Sequence, residues 1–164
     1  MQLNTKMKRL AQIPPLAVIE SEALRLLAFD GEELTLERDE VLFRQGEMGD
    51  CGYAVLSGTI ALERKAEMPT PVRLIKAGSL IGVNSLIIET ERPASATVRD
   101  KAFLIKLPRR LVLRVVDAFP SAAMALNDYF ASGLAEQARA LERIAQSIDL
   151  IARSYRSSET LTGT

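Results

Sequence analysis

The chain has 164 residues, 48% of them hydrophobic and 26% charged, which is enough for one globular domain with an appended element. Its formal net charge is zero, so no bulk electrostatic field favours nucleic acid or an acidic membrane as a partner. The chain lacks histidine and has a single cysteine, Cys51. This composition excludes His-dependent catalytic triads, His-ligated haem, histidine metal centres, an iron–sulfur cluster held within the chain and an internal disulfide.

Residues 1–29 are predicted to be helical in two pieces, which Pro14 and Pro15 divide. Ser21 is the predicted N-cap of the second helix. The N-terminal segment is mixed and basic, without an apolar run of signal-peptide or transmembrane length. We therefore expect a cytoplasmic protein with no membrane partner.

Short alternating segments separated by turn residues follow, over residues 33–107. Ser57 and Gly58 lie between two alternating runs and predict a tight hairpin, and residues 99–101 predict a second one. About eight short strands at this spacing are typical of a small antiparallel jelly roll or β-roll. With the helices, the predicted fold class is α+β.

A glycine-led segment lies at residues 80–99. Gly82 follows a short apolar run and precedes a predicted one-turn helix at 83–88. A polar loop then leads through Pro93 into an alternating segment at 94–98. Because glycine before a short helix lets backbone N–H groups converge on an anion, this segment predicts an anion-binding turn.

A long helix is predicted at the end of the chain. Residues 121–155 contain no proline, Ser121 can cap them, and a helix of this length would measure roughly 50 Å. Apolar and alanine positions alternate at four-three spacing, which is typical of a coiled-coil seam. The seam residues are Leu134, Ala138, Leu141, Ala145, Ile148 and Ala152. We predict a homodimer through this seam; the alternative is a helix folded back on its own roll.

The predicted domain organisation has three parts. Residues 1–120 form the β-roll domain with its flanking helices, and residues 121–155 form the dimerisation helix. Residues 156–164 are rich in serine and threonine and predict a disordered tail.

Two stretches resemble the cyclic-nucleotide-binding domains of the catabolite-activator and FNR-like regulators. The first is Gly46-x-x-Gly49-Asp50 followed by Tyr53, which we interpret as turn residues that shape the fold. The second resembles the family's phosphate-binding cassette, and the matching residues are Gly82, Leu86, Pro93, Ser95, Ala96, Thr97 and Val98.

The resemblance covers only the sensory half of such a regulator. In that family a helix-turn-helix domain follows the long helix, and no such segment is predicted here. We therefore expect no DNA binding by this chain alone.

The cassette departs from the family pattern at two positions. The family's ribose-binding glutamate falls on Val83 and its phosphate-binding arginine falls on Ala94. The resemblance implies that a phosphate could still be bound weakly by Gly82, Asn84, Ser85, Ser95 and Thr97. It also places a purine contact near Gln137, whose other interpretation is a polar surface residue.

Arg92 also has two interpretations. Residues two apart in an extended segment point to the same side, so Arg92 could replace an arginine at position 94. The sequence favours the second interpretation, a solvated surface arginine. No metal site and no certain cofactor are predicted, and a cyclic nucleotide is expected to bind weakly.

These residues are compatible with three functions. The preferred one is a dimeric, non-enzymatic regulatory protein of this superfamily that does not bind cyclic AMP or cyclic GMP in the usual way. The alternative is a cyclic-nucleotide sensor with altered contacts, or the sensory part of a transcription regulator. The third, a jelly-roll enzyme, is disfavoured by the absence of histidine.

Overall fold

A computed structural model of the chain describes residues 1–159. Within them the helical segments are α1 (Leu3–Leu10), a 3-10 turn (Leu16–Val18), α2 (Ser21–Asp30), a second 3-10 turn (Val83–Leu86), α3 (Arg109–Ala118) and α4 (Pro120–Glu159). The strands are β1 (Glu32–Leu36), β2 (Val41–Phe43), β3 (Met48–Gly49), β4 (Cys51–Glu63), β5 (Arg73–Lys76), β6 (Ser79–Ile81), β7 (Thr90–Glu91) and β8 (Ser95–Pro108).

Two long antiparallel strands, β4 and β8, form the centre of the sheet. β1 and β2 pair with β8, while β5 and β6 pair with β4. β3 and β7 form a separate two-stranded sheet. Every strand pair is antiparallel, so the predicted α+β fold with a jelly-roll arrangement of strands is confirmed.

The two predicted hairpins are wrong, because β4 and β8 run through both positions as continuous strands. Ser57 pairs with Phe103 and Thr59 with Asp100, with register shifts on either side. Gly58 has a φ of 87° at this point. Residues with turn chemistry here let two paired strands bend together instead of reversing the chain.

Both predicted serine N-caps are also wrong, by one residue at Ser21 and by two residues at Ser121. α2 begins at Ser21 itself, with Glu20 as N-cap and no side-chain cap hydrogen bond. α4 begins at Pro120. Proline suits the first position of a helix, because the backbone N–H that it lacks would have no hydrogen-bond partner within the helix. The same helix continues to Glu159, past the predicted end at 155, and residues 160–164 of the predicted tail lie outside the described residues.

The core has two clusters, one on each face of β4. Alternate side chains of a strand point to opposite faces. Leu56 packs with residues of the helices such as Leu27 and Leu111, whereas Val55 packs inside the roll with residues such as Leu104. The roll interior also contains two aromatic residues, Phe43 and Tyr53.

The chain forms two compact units, Met1–Leu126 and Asn127–Thr164. The first turn of α4 belongs to the first unit, where Ala122 is buried in the helical core cluster. Within residues 1–159, no helix has the length and apolar character needed to cross a membrane.

Substituting two glycines with positive φ tests the close approach of β4 and β8 at the bend. Gly58→Ala and Gly78→Ala should each cost about 1–2 kcal/mol for a Cβ in the left-handed region. At position 58 the Cβ would also lie 2.5 Å from the carbonyl oxygen of Lys101, whereas nothing lies within 4 Å of it at position 78. In urea unfolding we therefore expect Gly58→Ala to lose at least about 1 kcal/mol more. Equal losses would contradict a close approach of the two strands at the bend.

Candidate functional site

The glycine-led segment forms a turn over one end of the roll interior. Gly82 is left-handed, with φ 76° and ψ 35°, and precedes the 3-10 turn Val83–Leu86. The backbone N–H of Ser85 donates to the carbonyl oxygen of Gly82 at 3.1 Å. The predicted short helix therefore exists but ends at Leu86. We call residues 82–94 the cassette.

A cleft of about 280 Å³ lies between the cassette and the roll. Its lining combines apolar side chains of the strands with the residues of the turn and the loop that follows. The lining residues are Phe43, Leu62, Ile81, Gly82, Val83, Asn84, Ser85, Thr90, Glu91, Arg92, Pro93 and Ala94.

The side chain of Arg92 is buried against the 3-10 turn Val83–Leu86, with only 4% of the residue's surface exposed. Its Nη2 donates to the carbonyl oxygen of Cys51 at 2.7 Å, and its Nη1 donates to the hydroxyl of Ser85 at 3.3 Å. The guanidinium carbon lies 4.3 Å from the ring centre of Phe43 and 5.8 Å from that of Tyr53. The preferred prediction of a solvated surface arginine is therefore wrong.

Backbone hydrogen bonds explain why Arg92 points inward. Its N–H donates to the carbonyl oxygen of Glu47 at 2.8 Å, and its carbonyl accepts from the N–H of Gly46 at 2.9 Å. These bonds extend the pairing of β3 with β7 by one residue. They fix the backbone so that the long side chain enters the roll.

The positive charge of Arg92 has no ionic partner within residues 1–159, since no carboxylate there forms an ion pair with it. Carbonyl, hydroxyl, thiol and aromatic groups surround it instead. Its Nε–H donates to no acceptor in the same part of the chain. A buried cation without a counter-ion is energetically unfavourable, and an anion in the adjoining cleft would neutralise it.

Two glycines make room for this guanidinium. A Cβ on Gly82 would lie 2.3 Å from Nη1 of Arg92, and a Cβ on Gly49 would lie 2.9 Å from its Cζ. Gly49 belongs to strand β3, so its interpretation as a turn residue is wrong. The sequence held no local signal for this contact, because Gly49 and Arg92 are far apart in the chain.

Two other residues that the resemblance assigns to the ligand, Ser95 and Thr97, do not line the cleft. The hydroxyl of Ser95 accepts from the N–H of Gln45 at 2.9 Å. Thr97 lies within β8, opposite Val41 and Ala61. Gln137 is an exposed residue of the second unit, and its contact with a purine stays a prediction.

Sequence reasoning missed the aromatic and thiol groups around the cation. Phe43 and Tyr53 stack with ring centres 6.0 Å apart. Burial raises the pKa of Tyr53 well above its usual range; the neighbouring Cys51 adds to this rise and the charge of Arg92 opposes it. The phenol therefore stays neutral, and it offers Arg92 a ring face without a counter-charge.

The predicted dimer seam lies on α4 in the second unit. Its large residues Leu134, Leu141 and Ile148 are 67%, 67% and 61% exposed in the single chain. The alanines between them are exposed or half-buried. Apolar side chains at this exposure leave the seam open to a partner.

A cleft that holds a buried cation beside an apolar wall is typical of a small-molecule-binding domain. The family model of the cyclic nucleotide-binding domain matches residues 33–119, more than half of the chain. The chain therefore belongs to the cyclic nucleotide-binding domain family, a family of regulatory sensor domains.

Solved structures agree with this family. A cyclic nucleotide-binding-like protein from Brucella abortus is 29% identical, with a TM-score of 0.62 over 69% of this chain and 98% of that one. The N-terminal domain of a transcriptional regulator from Streptomyces coelicolor is 27% identical, with a TM-score of 0.74 over 80% and 94%. The catabolite activator protein of Thermus thermophilus is 28% identical, with a TM-score of 0.64 over 77% and 61%. A comparison with curated protein sequences found no significant match.

The raised pKa of Tyr53 predicts a loss of stability at high pH. The folded chain keeps this proton above pH ~10, where unfolded tyrosine ionises, so the free energy of unfolding should fall as the pH rises through this region. Tyr53→Phe should give a shallower fall in urea unfolding between about pH 9 and 11. Tyr129→Phe is the matched control, because this tyrosine is 38% exposed, and it should keep the wild-type slope. Identical slopes for all three proteins would contradict the prediction.

Proposed function

We propose that this chain is a non-enzymatic regulatory domain that binds an anionic ligand in the cassette cleft through Arg92. The proposal rests on one observation, the burial of a guanidinium without a carboxylate partner among the described residues at the wall of that cleft. The absence of histidine supports a binding role rather than an enzymatic one. In this proposal Arg92 supplies the cation that the family places at the position of Ala94.

The energetics of burial favour this role. Moving a charged side chain out of water costs several kcal/mol unless other groups compensate it. Neutral acceptors such as the Cys51 carbonyl recover part of this cost, and an anion would recover more, because its hydrogen bonds to a guanidinium are charge-assisted. The cation therefore stabilises the complex more than it stabilises the empty domain.

Cyclic AMP and cyclic GMP should nevertheless bind in an unusual way. Val83 lines the cleft where the family has a ribose-binding glutamate, and it offers no acceptor to a hydroxyl. An unpaired buried hydroxyl costs about 1–3 kcal/mol, or roughly tenfold to a hundredfold in affinity. We expect dissociation constants on the order of hundreds of micromolar.

A second candidate function is a cyclic-nucleotide sensor with altered contacts. The same buried Arg92 favours it, since that side chain could hold the cyclic phosphate tightly enough to offset the lost ribose contact. The similarity to the N-terminal domain of a transcriptional regulator adds a third possibility, the sensory part of such a regulator. The net charge of zero gives this chain no general affinity for DNA.

Titration calorimetry with cyclic AMP and cyclic GMP tests the role of Arg92. Arg92→Met should weaken binding at least tenfold, because it removes about 1.4 kcal/mol or more of charge-assisted hydrogen bonding. Arg92→Lys should give an intermediate affinity, since it keeps the charge and loses the planar donors. Arg25→Met is the matched control, because Arg25 is exposed on α2 and does not line the cleft.

Three outcomes separate the candidates. Weak binding that depends on Arg92 supports the anion-binding domain, and tight binding that depends on it supports the cyclic-nucleotide sensor. If Arg92→Met binds as well as wild type while Ala94→Arg alone binds tightly, the cassette lacks its cation and Arg92 has only a structural role.

We also propose that the domain is a homodimer through the seam of α4. The exposed fractions of Leu134, Leu141 and Ile148 support this, because a continuous apolar stripe on a helix gains stability when a second helix covers it. The small alanines between them allow a close approach of two helices.

Leu141→Asp should convert the dimer into a monomer in equilibrium sedimentation. A carboxylate buried in the seam costs several kcal/mol of association unless it is paired. Leu150→Asp is the matched control: Leu150 is equally exposed, at 68%, but lies on the helix face opposite the seam. A wild-type monomer at tens of micromolar, or equal effects of the two substitutions, would contradict the proposed interface.

A further inference from the structure

We infer that the ligand of the cassette cleft is a compact organic anion with an apolar body, and not a sugar phosphate. This inference rests on the proposed function, because it takes Arg92 as the group that binds the anion. It concerns a different part of the ligand, which is the portion beyond its anionic group.

The buried lining of the cleft is apolar apart from Arg92 and its serine partner. Phe43 and Ile81 are 7% and 4% exposed, respectively. Val83 and Ala94 are half-buried at the same cleft. A ligand whose anionic group reaches Arg92 must therefore place its adjacent atoms against hydrocarbon side chains.

The remaining polar lining residues lie nearer the solvent. Asn84 and Glu91 are exposed and Thr90 is half-buried. A sugar hydroxyl placed against Phe43, Ile81 or Val83 would lose its water partners and meet only hydrocarbon, so each such hydroxyl weakens binding. An apolar body instead gains by leaving water. The carboxylate of Glu91 also disfavours a second anionic group on the ligand.

The size of the cleft limits the body of the ligand. Its volume of about 280 Å³ lies just below the usual range for ligand pockets, which is roughly 300–1,000 Å³. One ring or a short branched chain next to a single anionic group fits this description.

Phenyl phosphate and ribose 5-phosphate test the inference, because both carry the same phosphate monoester and differ only in the attached body. In titration calorimetry on the full 164-residue chain, phenyl phosphate should bind at least about tenfold more tightly than ribose 5-phosphate. Inorganic phosphate reports the anion contact alone, and it should bind more weakly than phenyl phosphate.

A pair of matched valine variants locates the preference in the cleft. Val83→Thr adds a hydroxyl at nearly unchanged volume, so it should reduce the preference for phenyl phosphate by about threefold or more. Val72→Thr makes the same change at a position that is 48% exposed and outside the lining, and it should keep the wild-type preference. Equal effects of the two substitutions would overturn the inference.

The remaining outcomes separate this inference from the proposed function. Equal affinities for the two esters, both lost in Arg92→Met, would overturn the apolar-body inference and leave the anion contact intact. If none of the three phosphates binds, or if Arg92→Met binds them as well as wild type, the proposed function fails and this inference fails with it. Thermal unfolding confirms that each variant is folded, and Arg92→Lys replaces Arg92→Met if the latter is not.

Discussion

The buried guanidinium of Arg92 is the interaction on which the site depends. It connects the start of β4, through the carbonyl of Cys51, to the cassette turn, through the hydroxyl of Ser85. It also lies against the ring of Phe43 on β2. Three segments that are distant in sequence thus share one cation, and each of them supplies a neutral partner. No carboxylate among the described residues pairs with it, and the proposed anion would be its first ionic partner there.

The start of α3 is hydrogen-bonded to the chain immediately before β4. The backbone N–H of Arg109 donates to the carbonyl oxygen of Asp50 at 2.7 Å, and the carbonyl of the next residue, Cys51, accepts from Arg92. The carbonyl groups of two consecutive residues, Asp50 just before β4 and Cys51 at its first position, therefore bind the first turn of α3 and the guanidinium of Arg92. This arrangement gives the cleft a short covalent and hydrogen-bonded connection to the helical core cluster of the first unit.

The fold could be predicted from sequence because it depends on local patterns, namely alternating apolar residues, turn residues and a proline-free final helix. Predictions failed where a local signal had two structural outcomes. Ser57 and Gly58 suit a hairpin and also suit a bend in a continuous strand, and only the pairing with β8 decides between them. The prediction for Arg92 was wrong for a related reason, because the burial of its side chain depends on space left by Gly49 and on an acceptor at Cys51. Neither partner is close to it in sequence.

The family pattern combines recognition of the charge of a ligand with recognition of its sugar, and the position of the cation in this chain separates the two. An arginine at position 94 and an acceptor at position 83 would contact one ligand at its phosphate and at its sugar. Here the cation reaches the cleft wall from position 92, at the base of the turn, and Val83 presents hydrocarbon at the sugar position. Charge recognition needs only that a guanidinium lie near the anion, whereas sugar recognition needs a particular acceptor in a particular place. In the proposed function charge recognition therefore persists without the family's sugar contact, because the long side chain of Arg92 can bring a charge to the cleft from a neighbouring position, whereas the side chain of Val83 has no acceptor.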